Sequence, residues 1–464
     1  MVNMIQFNYW NAVLLLMILI HFHFVQYSKK DGVSKAIYGT LQYDKTVPPS
    51  RSSRLNTMSD EEPILNIKYP MKPAVETFTR LPFKTEPRTK FNDLFPITYD
   101  AEHMAKKGEY DFRQDYTLKY FVGSTLEATS RRKIELLSYD HYDISIISQT
   151  TKERLFYFNH MLKRWQGPIS ITIMAQKNES AEIERFIRQS HFPNRLRLAL
   201  YTIGVSNNPD CVYHLVEGQM KCIPQIVYPL NRLRNIAIEN IVTSHFVVFD
   251  MDMWPAKMVY STLLSLPQSY FENPYNVMII PAFSLAESVL NPENCTGLKP
   301  CVEKALTLYP QTREELVDCL NKNRCEFFRP YTKTHNYLPA NWTTIPKNVP
   351  YTPVPCFREK YLEPYCMLKR TSHMPLFDER FINYGCNKVQ WIEHLRYRGY
   401  EFNVLSHAFA EDMPHPSSNY AHRYMDGLRK GENGLYWLYR RLLYDMRYSE
   451  KDESRILLCL PQKK

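Results

Sequence analysis

The chain has 464 residues, 44% hydrophobic and 14% aromatic, and its 58 Lys and Arg against 48 Asp and Glu give a formal net charge of +10. That length could hold two or three average domains, and the apolar content supports a sizeable core. The positive charge is dispersed, with no long polybasic block and no basic repeat interleaved with aromatics, which argues against nucleic acid as a partner and for a generally basic surface.

Residues 1–8 form a short tail before a hydrophobic run over residues 9–27, centred on Ala12-Val-Leu-Leu-Leu-Met-Ile-Leu-Ile20. The run is short for a membrane span and is interrupted by Asn11, His21 and His23, but Tyr9, Trp10 and Tyr27 are residues of the membrane interface. No Lys or Arg precedes it and no small-residue cleavage site follows, so an uncleaved signal anchor is expected rather than a removed signal peptide. Lys29 and Lys30 alone would place the following flank in the cytoplasm; the chemistry expected further along the chain argues for the opposite side. Residues 28–135 lack sustained periodicity and are rich in Pro, Ser and charge, as in Val47-Pro-Pro-Ser-Arg-Ser-Ser53. They read as a stem, of which the part around residues 110–126 could pack on the folded domain.

From there strands and helices alternate. Residues 144–148, 169–175 and 196–204 are expected as strands, and 152–165 and 181–189 as helices, which is the rhythm of a parallel sheet covered on both faces. Gln149, at the end of the first strand, is placed where such a sheet receives a nucleotide base, or else caps the next helix. In Tyr228-Pro-Leu-Asn-Arg-Leu-Arg-Asn-Ile-Ala-Ile-Glu239 the apolar positions recur at helical spacing, and Asn231, Arg234 and Asn235 line one side, where arginine suits a pyrophosphate. The apolar run His245-Phe-Val-Val-Phe then opens onto Asp250 and Asp252. Residues i and i+2 of a strand share a face, so both carboxylates can reach one hard divalent cation, Mn2+ or Mg2+, whose open positions suit the diphosphate of an activated donor.

Ten cysteines occur. Cys211 with Cys222, Cys295 with Cys301 and Cys319 with Cys325 bracket short segments suited to local disulfides in an oxidising compartment; no Cys-x-x-Cys pair points to zinc. Sequons stand at Asn178, Asn294 and Asn341.

The helix block and Phe249-Asp-Met-Asp-Met-Trp-Pro255 together resemble glycosyltransferase family 49, whose members include a β-1,4-glucuronyltransferase and the second catalytic domain of the LARGE enzymes. Further blocks agree in order: Asp143-Ile-Ser-Ile-Ile-Ser-Gln149 with Trp165-Gln-Gly-Pro-Ile-Ser170, Ile279-Ile-Pro-Ala-Phe283, Glu363-Pro-Tyr-Cys-Met-Leu-Lys-Arg370, Phe377-Asp-Glu-Arg-Phe-Ile-Asn-Tyr-Gly-Cys-Asn-Lys388, and Tyr400-Glu-Phe-Asn-Val-Leu through Met413-Pro-His415. They span roughly residues 140–420.

The resemblance implies an α/β fold of the GT-A type, a Rossmann-like nucleotide-sugar transferase domain over residues 136–430 behind the anchor and stem. A Cys-rich insertion would occupy residues 291–328 and a helical tail residues 431–464. It implies inverting transfer from a UDP-sugar, glucuronyl or N-acetylglucosaminyl, to a glycan or glycoprotein acceptor, with the domain lumenal and the chain a single-pass type II protein of the Golgi membrane. An oligomer is left open. Inversion needs a carboxylate to take the acceptor proton, and Asp378 leads, with Glu393 behind it. Asn387 joins Gln149, Asn231, Arg234, Asn235 and Asp250 as donor-binding candidates. The family's late metal ligand is a His at the position of Asp412, so Asp412 and His415 are candidate ligands beside Asp250 and Asp252. That departure also leaves a rival reading, a glycan-binding or chaperone-like pseudoenzyme without catalysis.

Overall fold

The computed structural model describes residues 116–127, 142–204, 211–216, 219–224, 227–292, 295–330, 332–415, 418–430 and 434–459, all within the unit Asn66–Lys464. The hydrophobic run at residues 9–27 lies outside the described residues, among which no helix is long and apolar enough to cross a membrane.

The first described strands, β1 (Tyr116–Val122) and β2 (Thr125–Glu127), fall in the segment that composition assigns to the stem. They are followed by β3 (Ile144–Thr150), whose seven residues are all buried. A strand hidden on both faces has no need of apolar and polar alternation, which is why the run Ile-Ser-Ile-Ile-Ser-Gln-Thr shows so little. The helix expected over residues 152–165 is broken into a single 3-10 turn, Lys152–Arg154, and α1 (Tyr157–Arg164). Next come β4 (Ile169–Gln176), α2 (Ser180–Gln189), which buries Ile183 and Ile187, and β5 (Leu196–Ile203). A hairpin of β6 (Cys211–Val216) and β7 (Gln219–Pro224), described by its backbone alone, leads to α3 (Leu230–Glu239) and β8 (His245–Val248).

β3, β4, β5 and β8 are parallel, and β8 lies on the side of β3 away from β4. The chain leaves β3 toward β4 and leaves β8 in the opposite direction. Their carboxyl ends therefore border the crevice that opens at such a reversal of strand order. Thr150 ends β3 and Val248 ends β8, two residues before Asp250.

Beyond β8 the chain forms β9 (Met253–Pro255), α4 (Val259–Leu264), α5 (Gln268–Glu272), β10 (Asn276–Ile280) and β11 (Ala282–Leu285). The Cys-rich insertion is ordered structure rather than loop: α6 (Leu298–Leu306), α7 (Arg313–Asn321), which opens with a Thr312–Glu315 capping box, and β12 (Cys325–Phe327). Disulfides Cys295–Cys301 and Cys319–Cys325 close its two short segments as the spacing suggests. Then follow β13 (Tyr351–Pro353), β14 (Tyr365–Lys369), α8 (Val389–Tyr397), β15 (Glu401–Leu405), β16 (Ala410–Asp412), α9 (Asn419–Lys430) and α10 (Gly434–Ser449).

Two sheets result. The larger runs β13-β15-β10-β14-β8-β3-β4-β5-β1-β2, and the smaller runs β12-β11-β16-β9. α10 packs Leu438, Tyr439, Leu442 and Met446 against Phe381, Val389 and Tyr397. A third disulfide, Cys356–Cys459, ties the tail to the chain before β14, a pairing with no local spacing to reveal it. Both tail contacts make residues 434–459 part of the folded body.

β1 is integral to the larger sheet, lying between β5 and β2. It pairs antiparallel with β5 along seven residues, from Tyr116 opposite Ile203 to Val122 opposite Arg197, and buries Phe121 completely. A chain starting at residue 136 loses this strand and bares the edge of β5, an aggregation template, together with about 2 kcal/mol of Phe121 burial. Produced side by side, a version starting near residue 110 is expected to remain soluble and one starting at residue 136 to aggregate; size-exclusion profiles that match would remove β1 from the folded unit.

Candidate active site

The run from His245 stays a strand only to Val248; Asp250, Met251 and Asp252 form a turn closed by the Met253 N–H donating to the Asp250 carbonyl at 2.9 Å. The two carboxylates are therefore not on one strand face. They diverge and take different partners.

Asp250 is enclosed by cations. Its Oδ1 accepts from Arg234 Nη2 at 2.6 Å, and its Oδ2 accepts from Lys388 Nζ at 2.8 Å and from the Tyr365 hydroxyl at 3.2 Å. Burial would raise its carboxyl, but the charges of Lys388 and Arg234 outweigh burial and hold it well below the usual carboxylate range. Gln149 Nε2 adds a 3.4 Å contact to Oδ1, while Gln149 Oε1 is buried without a partner. The first strand's end and Asp250 thus meet as the sheet order requires.

Asp252 belongs to a second group. Its Oδ2 meets Arg154 Nη1 at 2.6 Å and His415 Nε2 at 3.1 Å. One ligand atom from each of Asp252, Asp412 and His415 lies within 4.8 Å of the others, a donor set of two carboxylates and an imidazole that suits a divalent ion. The backbone explains the meeting. β16 runs antiparallel to β9 with Asp412 opposite Met253, and the Met413 N–H donates to the Asp252 carbonyl at 2.7 Å, so the late loop is stitched to the Asp-x-Asp turn. Burial and the charge of Asp252 push the Asp412 carboxyl up to about 7, against the pull of His415 and Arg329. Asp252 itself is lowered, because Arg154 and His415 outweigh its burial.

α3 uses its polar face in two ways. Arg234 reaches Asp250, but Asn231 donates to the Asp378 carbonyl at 2.9 Å and Asn235 clasps Phe377, donating to its carbonyl at 2.8 Å and accepting from its N–H at 3.0 Å. These two asparagines brace the loop before α8, so their amide atoms are already engaged with protein. Asn387 works within the same loop: in the orientation that satisfies both its amide atoms it donates to the Phe381 carbonyl and accepts from the Gly385 N–H, each at 3.2 Å. Gly385 has φ +116°, and a Cβ there would stand 2.1 Å from the Tyr424 ring of α9, so that block requires glycine.

The two proton-transfer candidates hold ion pairs of their own. Asp378 Oδ2 accepts from Arg380 Nη2 at 2.6 Å, and Glu393 Oε1 accepts from Arg396 Nη2 at 2.6 Å on the same face of α8. Neither is bonded to the Asp250 or Asp252 groups. Sequons at Asn178 and Asn341 are exposed, whereas Asn294 lies outside the described residues, as do the side chains of Cys211 and Cys222.

Sequence reading gave no role to Arg154, Lys388, Tyr365, Glu363, His335 or Arg329. Arg154 sits in the 3-10 turn after β3, and Lys388 and Tyr365 stand within recognised blocks; a cation or hydroxyl within a block near the strand ends was the signal available. Lys388 lies 3.7 Å from the Tyr365 ring centre, and His335 Nε2 is 3.6 Å from Glu363 Oε1. Burial would raise Glu363, but His335, Lys388 and Arg329 outweigh it and hold the carboxyl at about 2, while burial lowers His335 despite that neighbour. Burial, then Asp250 and Asp252, raise Tyr365 far above its ordinary value, so it remains a hydroxyl donor.

The depressed carboxyl has a stability consequence. Glu363 favours the folded state fully above its ordinary value near 4.5, and that contribution fades as pH falls from there through about 2. Its size is about 3 kcal/mol at most. Glu363→Gln is expected to be less stable than the parent at pH 6 and to lose less stability between pH 5 and pH 3; parallel denaturation curves for the two chains across that range would remove the ionised carboxylate from the balance.

Comparison with known proteins adds to this geometry. Residues 200–411 match the family described as "Glycosyl-transferase for dystroglycan", glycosyltransferase family 49. Over 320 residues the chain is 29% identical to "Xylosyl- and glucuronyltransferase LARGE1" of Mus musculus, covering 67% of this chain and 35% of that one. It is 28% identical to "Xylosyl- and glucuronyltransferase LARGE2s" of Danio rerio, covering 67% and 36%. The chain therefore spans about a third of the length of these relatives. Among solved structures, S. aureus TarS 1-349 in complex with UDP-GlcNAc matches with a TM-score of 0.31 at 11% identity, covering 60% of each chain. GalNAc-T7 with UDP, GalNAc and Mn2+ matches with a TM-score of 0.35 at 9% identity, covering 67% of this chain and 55% of the other.

Proposed function

We propose that this chain, a family-49 glycosyltransferase by its sequence, transfers a sugar from a UDP donor to a glycan hydroxyl with the help of a divalent ion held by Asp252, Asp412 and His415. The observation that carries the reading is the convergence of those three side chains at the switch point between β3 and β8. The donor set fits manganese or magnesium, which would stabilise the leaving diphosphate. The sequence expects Asp250 as a ligand, but its oxygens already face Arg234, Lys388 and Tyr365. We assign it to fixing those cations near the diphosphate.

In this reading Gln149, whose Oε1 is buried and unpartnered, faces the donor's nucleotide side at the end of β3. With an ion at Asp252, Arg154, which now pairs with that carboxylate, would be placed to meet donor phosphate. Asn231, Asn235 and Asn387 position the loop that carries Asp378, the carboxylate we assign to the acceptor proton. Glu393 is left a structural partner of Arg396. The sugar is glucuronate or N-acetylglucosamine, transferred with inversion in a GT-A type domain. Three disulfides among the described residues favour an oxidising lumen, which supports a type II Golgi protein glycosylated at Asn178 and Asn341.

Calorimetry tests the ion's role. UDP is expected to bind the chain with manganese and to lose at least tenfold in affinity in EDTA. Asp252→Asn, Asp412→Ala and His415→Ala should each raise the manganese needed for half-maximal UDP binding by about tenfold or more, whereas Asp250→Asn should weaken UDP binding even at saturating manganese. Equal UDP affinity with and without EDTA would sink the metal bridge. Release of UDP from a UDP-sugar in the presence of an acceptor panel separates an enzyme from a pseudoenzyme that merely binds.

A further inference from the structure

Asp412 is held by more than its own strand. The hydroxyl of Tyr309, a residue of the Cys-rich segment, donates to the Asp412 carbonyl and accepts from the Leu285 N–H at 3.3 Å. β11 and β16 run parallel, with Ala282 opposite Ala410 and Phe283 opposite Glu411. Beyond that register the hydroxyl bridges the two strand ends, Leu285 on β11 and Asp412 on β16. Tyr309 is buried, and its N–H donates to the Ala305 carbonyl at 3.1 Å, so the ring is fixed to the end of α6. That helix buries Val302 and Ala305 and is stapled through Cys301 to Cys295. Burial, then the charges of Asp412 and Glu411, raise the phenol far above its ordinary value, so it stays protonated and a donor.

The bond matters because of the peptide it holds. The Asp412 carbonyl and the Met413 N–H belong to one planar unit. Its N–H donates to the Asp252 carbonyl at 2.7 Å, and its oxygen accepts from Tyr309. The unit is thus pinned on both sides, once to the residue that supplies the other carboxylate and once to the Cys-rich segment. Fixing its plane fixes ψ at Asp412, and with it the direction in which the carboxylate leaves the backbone relative to Asp252. One ligand atom each from Asp252, Asp412 and His415 lies within 4.8 Å of the others. A metal site needs its ligands held to within about 0.5 Å of the working geometry, and outer hydrogen bonds do that holding.

Resting on the reading of Asp252, Asp412 and His415 as a divalent-ion site, we infer that Tyr309 is a positioning residue for that site. Its hydroxyl orients the Asp412 peptide and so sets the affinity for the ion, while its own proton is spent on backbone. The Cys-rich segment is by this account part of the frame of the metal centre, carrying Tyr309 in from outside the sequence blocks that hold the ligands.

Calorimetry on the full chain with manganese and UDP tests this, with Tyr260→Phe as the comparison. That change also removes a tyrosine hydroxyl with a close partner, Asp143 Oδ1 at 2.7 Å, but at the amino end of β3, opposite the crevice. Tyr309→Phe is expected to raise the manganese needed for half-maximal UDP binding about tenfold, with UDP affinity at saturating manganese within about twofold of the parent. Tyr260→Phe should lower the melting temperature of the ligand-free chain and leave the manganese requirement unchanged. On an Asp412→Ala background Tyr309→Phe should add less than about twofold, because the hydroxyl acts through that carboxylate. Should Tyr309→Phe not fold, Tyr309→4-aminophenylalanine, a weaker donor of nearly the same size, takes its place, with a rise of about threefold expected and the parent's requirement overturning the inference. A folded Tyr309→Phe chain with the parent's requirement, a penalty undiminished on Asp412→Ala, or an equal penalty in Tyr260→Phe also overturns it and leaves the UDP site standing. A parent that binds UDP equally well in EDTA overturns the site reading itself.

Discussion

A carboxylate buried at the mouth of a parallel sheet has to be matched by positive charge, and Asp250 with Arg234 and Lys388 meets that requirement for this molecule. The three residues come from the loop after β8, from α3 and from the start of α8, so a single ion cluster fixes three parts of the chain that are far apart in sequence. Removing one partner of a buried pair costs about 3–5 kcal/mol because the remaining charge stays buried. Arg234 is itself stacked 5.2 Å from Phe377, and Phe377 is clasped by Asn235, so the cluster continues into the loop that carries Asp378. The positions of the other site groups follow from this anchoring.

How much of this was legible in the sequence depends on the range over which each signal acts. The alternation of β3, β4 and β5 with α1 and α2 was readable because periodicity is local, and α3 was found within two residues of its end. The Asp-x-Asp turn was found as well, but not its geometry: a strand was expected to carry both aspartates, and the strand stops at Val248, turning them toward different partners. The 3-10 turn before α1 was missed because its residues, Lys152, Glu153 and Arg154, favour helix as individuals, and only the ion pair with Asp252 shows why the turn stands where it does. The sequence expects residues 110–126 to pack on the folded domain from within the stem, but not as a strand, because seven residues in a Pro-rich context carry little weight until β5 supplies the partner. Cys356 and Cys459 are 103 residues apart, and nothing in spacing can pair them.

Asn231 and Asn235 illustrate a subtler limit. Helical spacing correctly placed them beside Arg234, and all three are buried. Spacing says which face a side chain shares; it does not say whether that face meets ligand or protein. Here one helical face does both, with Arg234 turned to Asp250 and the asparagines turned to the loop. A buried amide has to bond with something, and a neighbouring backbone satisfies it as fully as a ligand would.

The position of Asp412 shows how a departure from a family pattern can be absorbed. The resemblance to family 49 implies an imidazole here; this chain has a carboxylate beside Asp252, and its desolvation together with the charge of Asp252 pushes the Asp412 carboxyl up to about 7. A pair of adjacent carboxylates would repel, and the chain answers with Arg154 on Asp252 and Arg329 within electrostatic reach of Asp412, while His415 approaches Asp252 at 3.1 Å. A divalent ion held by Asp252, Asp412 and His415 would supply the same compensation at one point, between oxygens and a nitrogen that converge. A carboxylate at residue 412 therefore increases the site's demand for positive charge beside Asp252.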